Sequence, residues 1–170
     1  GSFVTLDSLI SDVGADAARF FYLMRKADQH MEFDVGLAKE KSSKNPVYYV
    51  QYAFARISSV LAQAKGLGWS DDGNPGNLEQ ALSTEYEQEQ LLLLSQFPDI
   101  VMAASDSGEP NIVTQYLKDL AYLFHSNYAA NKILVDNLDT RNARLCLASV
   151  TGTVIENGLN LLNISSPKKM

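Results

Sequence analysis

The sequence predicts an all-α protein, a helical bundle of about six to eight helices joined by short links. Apolar residues recur at spacings of three and four along almost the whole chain, whereas no apolar–polar alternation lasts more than a few residues. Residues that start and stop helices punctuate this periodicity, among them Thr5, Asp34, Pro46, Thr84 and Pro110 as starts and Gly14 and Gly66 as stops. A chain of 170 residues is long enough for one domain with a substantial core, and no internal repeat or boundary divides it.

Each element has its own signal. Thr5 is placed to cap a short helix to about Asp12, ended by Gly14. A second helix opens near Asp16 and runs through Arg19-Phe20-Phe21-Tyr22-Leu23-Met24 to about Ala27. Beyond the polar link Asp28-Gln29-His30, Asp34 caps a short helix reaching about Lys41. Ser42 to Asn45 interrupts the pattern, and Pro46 takes the first-turn position of a long helix ending near Lys65-Gly66. Gly68 to Asn77, with its glycines, Pro75 and two aspartates, is the clearest loop.

Thr84 and Glu87 have the spacing of a capping box. The helix they open contains Leu91 to Leu94 and meets Pro98, where a kink or short break is expected. Asp106 to Glu109 is a turn, and Pro110 starts a helix whose buried side is Val113, Leu117, Leu120, Phe124 and Tyr128. Asp139-Thr140 begins the last long helix, from about Arg141 to Leu162, and Ser165 to Met170 is too polar to pack as a helix.

Composition excludes several classes. Hydrophobic content of 46% and charged content of 20% are those of a soluble globular protein. No apolar run approaches the about 18 residues that span a bilayer, and no secretory signal is evident at the start. A single cysteine, Cys146, cannot form an internal disulfide; it is expected in the core, and a reducing cytoplasm follows. The formal net charge of −6 argues against a dedicated nucleic-acid binder, but leaves room for one that touches a few exposed bases.

No catalytic constellation stands out, and no metal site. His30 and His125 lack a helix-spaced ligand partner and are expected to be routine surface or half-buried histidines. Gly66-x-Gly68 leads to Trp69 and a polar turn rather than to a phosphate loop, and Trp69 is expected to seal one end of the bundle. Arg19 and Arg25 lie in an otherwise apolar helix, where a salt bridge to Asp16 or Asp34 is favoured over a phosphate contact. Arg141 and Arg144 oppose the dipole at the start of the last helix, which fits an anionic partner or an internal carboxylate equally.

The long helix carries the one feature that asks for a ligand. Val47, Val50, Phe54, Ile57, Leu61 and Ala64 form its buried stripe. Tyr49, Tyr52 and Arg56 share the same spacing but fall about 150° away on the wheel. Two tyrosines and an arginine suit a platform for a planar, hydrogen-bonding group such as a nucleotide base. Covering of that face by another helix or loop is an equally good reading from the pattern alone.

Asn45-Pro46-Val47-Tyr48-Tyr49-Val50-Gln51-Tyr52-Ala53-Phe54-Ala55-Arg56-Ile57 resembles the C-terminal anticodon-binding domain of bacterial arginyl-tRNA synthetase, a class Ia aminoacyl-tRNA synthetase. The likeness extends along essentially the whole chain. Gly1 to Leu6 resembles the stretch just after that family's second catalytic signature, and Asp16-Ala17-Ala18-Arg19 stands where the family carries its Asp-Ala-Leu-Arg motif. Arg25-Lys26-Ala27-Asp28, Phe33-Asp34, Tyr116-Leu117-x-x-Leu120-Ala121 and the Pro167-x-x-Met170 ending continue it.

The resemblance implies a helical bundle that recognises the anticodon loop of arginine tRNA through Tyr49, Tyr52, Arg56 and Met170. Tyr122, opposite its own helix's buried stripe, and Arg19 are further candidate RNA contacts. Two residues depart from the family pattern: Ala18 replaces the usual leucine, and Phe54 replaces a histidine but falls on the buried face. The His-x-Gly-His and Lys-Met-Ser-Lys-Ser-like motifs of class I catalysis are absent, so catalytic residues and cofactors are expected to be none in this piece. It is expected to be a single domain, residues 1–170, with 1–15 the junction to a catalytic domain of the same parent chain. The parent would use ATP and arginine as substrates; the piece itself is expected to be cytoplasmic, monomeric and inactive alone. Two rivals remain, a helical protein-interaction module and the related domain of cysteinyl- or glycyl-tRNA synthetase.

Overall fold

The computed structural model describes residues 5–26, 28–69 and 78–170. Helices run through them, and no strand occurs among the described residues. They are α1 (Leu6–Val13), α2 (Ala15–Leu23), α3 (Val35–Lys39), α4 (Pro46–Gly66), α5 (Leu78–Ala81), α6 (Glu85–Ser95), α7 (Phe97–Ser107), α8 (Asn111–Ala130) and α9 (Leu138–Leu161). The chain is all-α, as its periodicity predicts; α3 and α5 are little more than single turns.

Caps set most of the boundaries. The Thr5 hydroxyl accepts from Ser8 N at 3.2 Å, and Gly14 at φ +86° ends α1 in a conformation that a side chain would resist. Asp34 Oδ1 accepts from Leu37 N at 2.8 Å to open α3. That helix stops at Lys39, two residues before the predicted end, because the Asn45 amide donates to the carbonyls of Ala38 (3.0 Å) and Glu40 (2.9 Å). The same Asn45 caps α4, and Pro46 occupies its first turn. The capping box is present, with Thr84 N donating to the Glu87 carboxylate at 3.0 Å. Pro98 breaks the following run at Gln96 into α6 and α7.

Two further ends differ from the sequence expectation. The second helix stops at Leu23 rather than near Ala27, which itself lies outside the described residues. The chain turns early and sets Phe33 against Phe21 (5.3 Å between ring centres) and Tyr22 (5.8 Å). The last helix starts at Leu138, because Asn137 rather than Asp139 provides the cap, accepting from Thr140 N at 2.9 Å. Most of the predicted loop, residues 70–77, lies outside the described residues.

The core lies where α4, α8 and α9 pack against one another, with α2 closing one side of α4. Phe20, Val50, Ile57, Leu117, Leu120, Phe124, Ile155 and Leu159 are buried there. α9 approaches its neighbours through two glycines. A Cβ on Gly158 would stand 2.7 Å from Leu117, and one on Gly152 would stand 3.0 Å from Ile57. A smaller cluster of Val60, Ala64 and Leu145 receives Trp69, whose ring lies 4.1 Å under the Arg141 guanidinium.

Candidate nucleic-acid interface

Tyr49, Tyr52 and Arg56 project from α4 as successive turns of one helix, and α8 lies beside them. All three are half-buried rather than bare. The cause is His125 on α8, which packs its ring 4.6 Å from Tyr49 and 5.6 Å from Tyr52. Tyr48 extends the stack, 6.0 Å from Tyr52 and nearly parallel to it.

Arg56 is the hub. Its Nη2 donates to the Tyr52 hydroxyl at 2.8 Å, and its Nη1 meets His125 Nδ1 at 3.2 Å. The guanidinium carbon sits 4.6 Å from the Tyr52 ring centre and 4.8 Å from that of Tyr128. A guanidinium has no lone pair to offer, so His125 Nδ1 must accept. The proton then sits on Nε2, which donates to the Tyr49 carbonyl at 3.3 Å. Burial holds the His125 imidazole below the ordinary histidine value; the bond to the Tyr49 carbonyl works against this, and the charge of Arg56 adds to it. The histidine is therefore neutral, and Arg56 keeps an uncompensated charge. Burial also raises the Tyr49 phenol; neighbouring Tyr122 raises it further and Arg56 pulls it back. Tyr49 thus remains a hydrogen-bond donor at neutral pH.

Beside this hub opens a groove of about 560 Å³ lined by Tyr52, Ala55, Arg56, Ser59, Tyr128, Lys169 and Met170. Its lining side chains include two aromatic rings, two cations and no aspartate or glutamate, in a chain whose formal net charge is −6. Met170 is 52% exposed and reaches this groove although it lies 114 positions beyond Arg56 in sequence.

The remaining candidates fall elsewhere. Tyr122 is 61% exposed on α8. Arg19 does not pair with Asp16 or Asp34 among the described residues; its guanidinium donates to the Asn163 carbonyl. A carbonyl near the end of α9 is a better partner there, because Asp16 is already occupied by Ser165 and Gln51. Arg144 and Arg141 both find internal partners, although Arg141 Nε is buried without one. Arg144 Nε donates to Glu87 at 2.7 Å, and Arg141 Nη1 donates to the carbonyls of Val135 and Asp136. His30 is exposed and Cys146 half-buried. Among the described residues no group of three or more His, Cys, Asp or Glu side chains is gathered to hold a metal ion.

Two participants in the Arg56 hub, and Lys169 in the groove beside it, escaped the sequence reading. Tyr128 is 37% exposed at the end of α8 rather than buried with Phe124, because Arg56 occupies the space beneath it. His125 joins the hub only because α8 lies along α4. The signal available was Phe124, His125 and Tyr128 at helical spacing, which becomes meaningful once the two helices are paired.

The fold is an all-α bundle whose groove presents two aromatic faces and a guanidinium. A family model described as "DALR anticodon binding domain" matches residues 50–170. The chain belongs to the DALR anticodon-binding domain family. Over its full length it is 48% identical to the arginine–tRNA ligase of Thioalkalivibrio sulfidiphilus, of which it covers 29%. It is 46% identical to the arginine–tRNA ligase of Coxiella burnetii, again covering 29%. The chain thus spans less than a third of the length of these curated relatives.

Solved structures agree. A crystal structure described as an arginyl-tRNA synthetase from Campylobacter jejuni superposes with a TM-score of 0.88 at 30% identity, over 100% of this chain and 36% of that one. The Thermus thermophilus arginyl-tRNA synthetase superposes with a TM-score of 0.77 at 29% identity, over 94% of this chain and 27% of that one.

Proposed function

We propose that this chain recognises the anticodon loop of arginine tRNA, as part of an arginine–tRNA ligase. The observation that carries the reading is the groove of Tyr52, Arg56, Tyr128, Lys169 and Met170, cationic and aromatic on an otherwise acidic molecule. An unpaired base stacks on Tyr52 or Tyr128, Arg56 supplies donors to base edges or phosphate, and Tyr49, with Tyr122 near it, offers further contacts outside the groove. Lys169 neutralises backbone charge, and Met170 packs its flexible side chain against a base. The matched family and the arginine-specific names of the relatives support arginine over cysteine or glycine, and RNA over a protein partner.

The parent enzyme would join arginine to this tRNA with ATP, using residues outside this chain, in the cytoplasm where translation draws on its product. Residues 1–15 then form the junction to a catalytic domain. In support, α1 leaves Leu6 and Ile10 exposed, apolar side chains suited to a neighbouring surface.

Binding of an arginine anticodon stem-loop to the wild type and to Tyr52→Ala tests the face directly. Loss of one stacked base weakens binding by about 1–3 kcal/mol, roughly five- to 150-fold. Equal affinities at low salt would reject the assignment. Affinity should also fall as salt rises, because Arg56 and Lys169 displace counterions from the phosphates they meet.

A further inference from the structure

The segment that delivers Met170 is held by a clamp. Chain direction changes at Asn163, which adopts a left-handed φ of +54°, and Ile164 N closes back on the Leu159 carbonyl at 2.9 Å. Ile164 is buried in the main core. The next residue, Ser165, is gripped from two helices. Asp16 on α2 accepts from Ser165 N at 3.3 Å and also from its hydroxyl. Gln51 on α4 donates to the Ser165 carbonyl at 2.9 Å and to Asp16 Oδ2 at 3.0 Å. Arg19, one turn beyond Asp16, donates to the Asn163 carbonyl.

Every polar group of one exposed serine is thus matched by the fold, which is unusual spending of side chains on a polar terminus. Surface stability does not require it, because Ile164 already anchors the end of α9. What the grip does determine is the starting point of residues 166–170. From Ser165 to Met170 is a reach of at most about 17 Å, and Gln51 neighbours Tyr52 in sequence. A tail tied at that point stays at high local concentration over the groove; one released at Asn163 samples a larger volume.

We infer that Asp16, Arg19 and Gln51 are positioning residues for RNA recognition, acting through the tail rather than by touching RNA. This rests on the anticodon-loop reading above. It also gives the Asp-x-x-Arg spacing of α2 a physical purpose, since residues three apart on one helix face reach two successive turns of the returning chain.

The test is a double-mutant cycle in the full 170-residue chain, with an arginine anticodon stem-loop as probe. Arg19→Gln, Asp16→Asn and removal of residues 166–170 are measured singly and combined, together with Arg19→Lys. The clamp variants should each weaken binding about two- to tenfold, the scale of a lost hydrogen bond. They should add nothing once residues 166–170 are gone, and Arg19→Lys should recover part of the loss. Equal losses in the truncated background overturn the inference, because they place Arg19 or Asp16 in contact with RNA or in the core. A second readout needs no RNA: the methyl resonance of Met170 should shift toward its free-chain position in Asp16→Asn while core amide resonances stay in place. An unmoved methyl overturns the clamp. A wild type that does not bind the stem-loop overturns the anticodon reading instead, with the methyl still deciding the clamp.

Discussion

Arg144 and Arg56 both rise from long helices into half-buried positions, yet their surroundings are opposites. Around Arg144 everything is closed. Glu87 is 0% exposed and is matched by Arg144 Nε at 2.7 Å and Thr84 N at 3.0 Å, while Arg144 Nη1 takes the Lys132 carbonyl at 2.7 Å. Nearby, Gln90 donates to Thr151 at 2.7 Å and accepts from Asn127 at 2.9 Å, so α6, α8 and α9 are tied by matched polar groups. Around Arg56 the partners are a phenol, a neutral imidazole and two ring faces, with no carboxylate pair among the described residues. The same side chain is structural where its charge is cancelled and available where it is only cushioned. A cation surrounded by neutral groups keeps its attraction for an anion that arrives later.

Breaking the closed region should cost most. Arg144→Met leaves the Glu87 carboxylate buried without its cation, and about 3–5 kcal/mol of stability should go, read by urea unfolding. Stem-loop affinity measured below the unfolding transition should hardly move. The reverse pattern is expected for Arg56→Met. Its stability loss should stay near about 1 kcal/mol, the value of a hydrogen bond to a neutral group, while stem-loop binding falls by about 1.5–3 kcal/mol. If both variants lose stability and binding in parallel, the contrast between the two arginines is void.

The smallest effect sharpens the contrast through pH. His125 has its folded pKa lowered, so the unfolded chain binds the proton more readily and stability rises with pH. This contribution is complete above the ordinary histidine value of 6.5 and is lost as pH falls from there toward the folded value. Unfolding measured across that window should show the slope in the wild type and lack it in His125→Asn. Protonation would also remove the acceptor for Arg56 Nη1, so the hub loosens as the charge appears.

How far the sequence could be read follows from the range of each interaction. Helices are local, so Thr5, Asp34, Pro46, Thr84 and Pro98 mark their ends within a residue or two. The early stop of α2 was not legible, because Phe33 and Phe21 meet only after the chain folds back. In the same way, Tyr49, Tyr52 and Arg56 were visible as a face of one helix, but the degree of cover was not, since His125 and Tyr128 arrive from α8. Arg19 illustrates the limit. Its spacing from Asp16 suggested a local ion pair, and its partner turned out to be a carbonyl 144 residues away.

The two glycines of α9 have a consequence for everything that follows them in the chain. Gly158 and Gly152 let α9 settle against Leu117 and Ile57 at distances where an added methyl group would force the neighbour to shift. The terminal residues follow that helix in sequence, so its seating on α8 bears on where they leave the bundle. A single added carbon at Gly158, buried against Leu117, would act as a shim between the two helices and displace the exit of a tail it never touches.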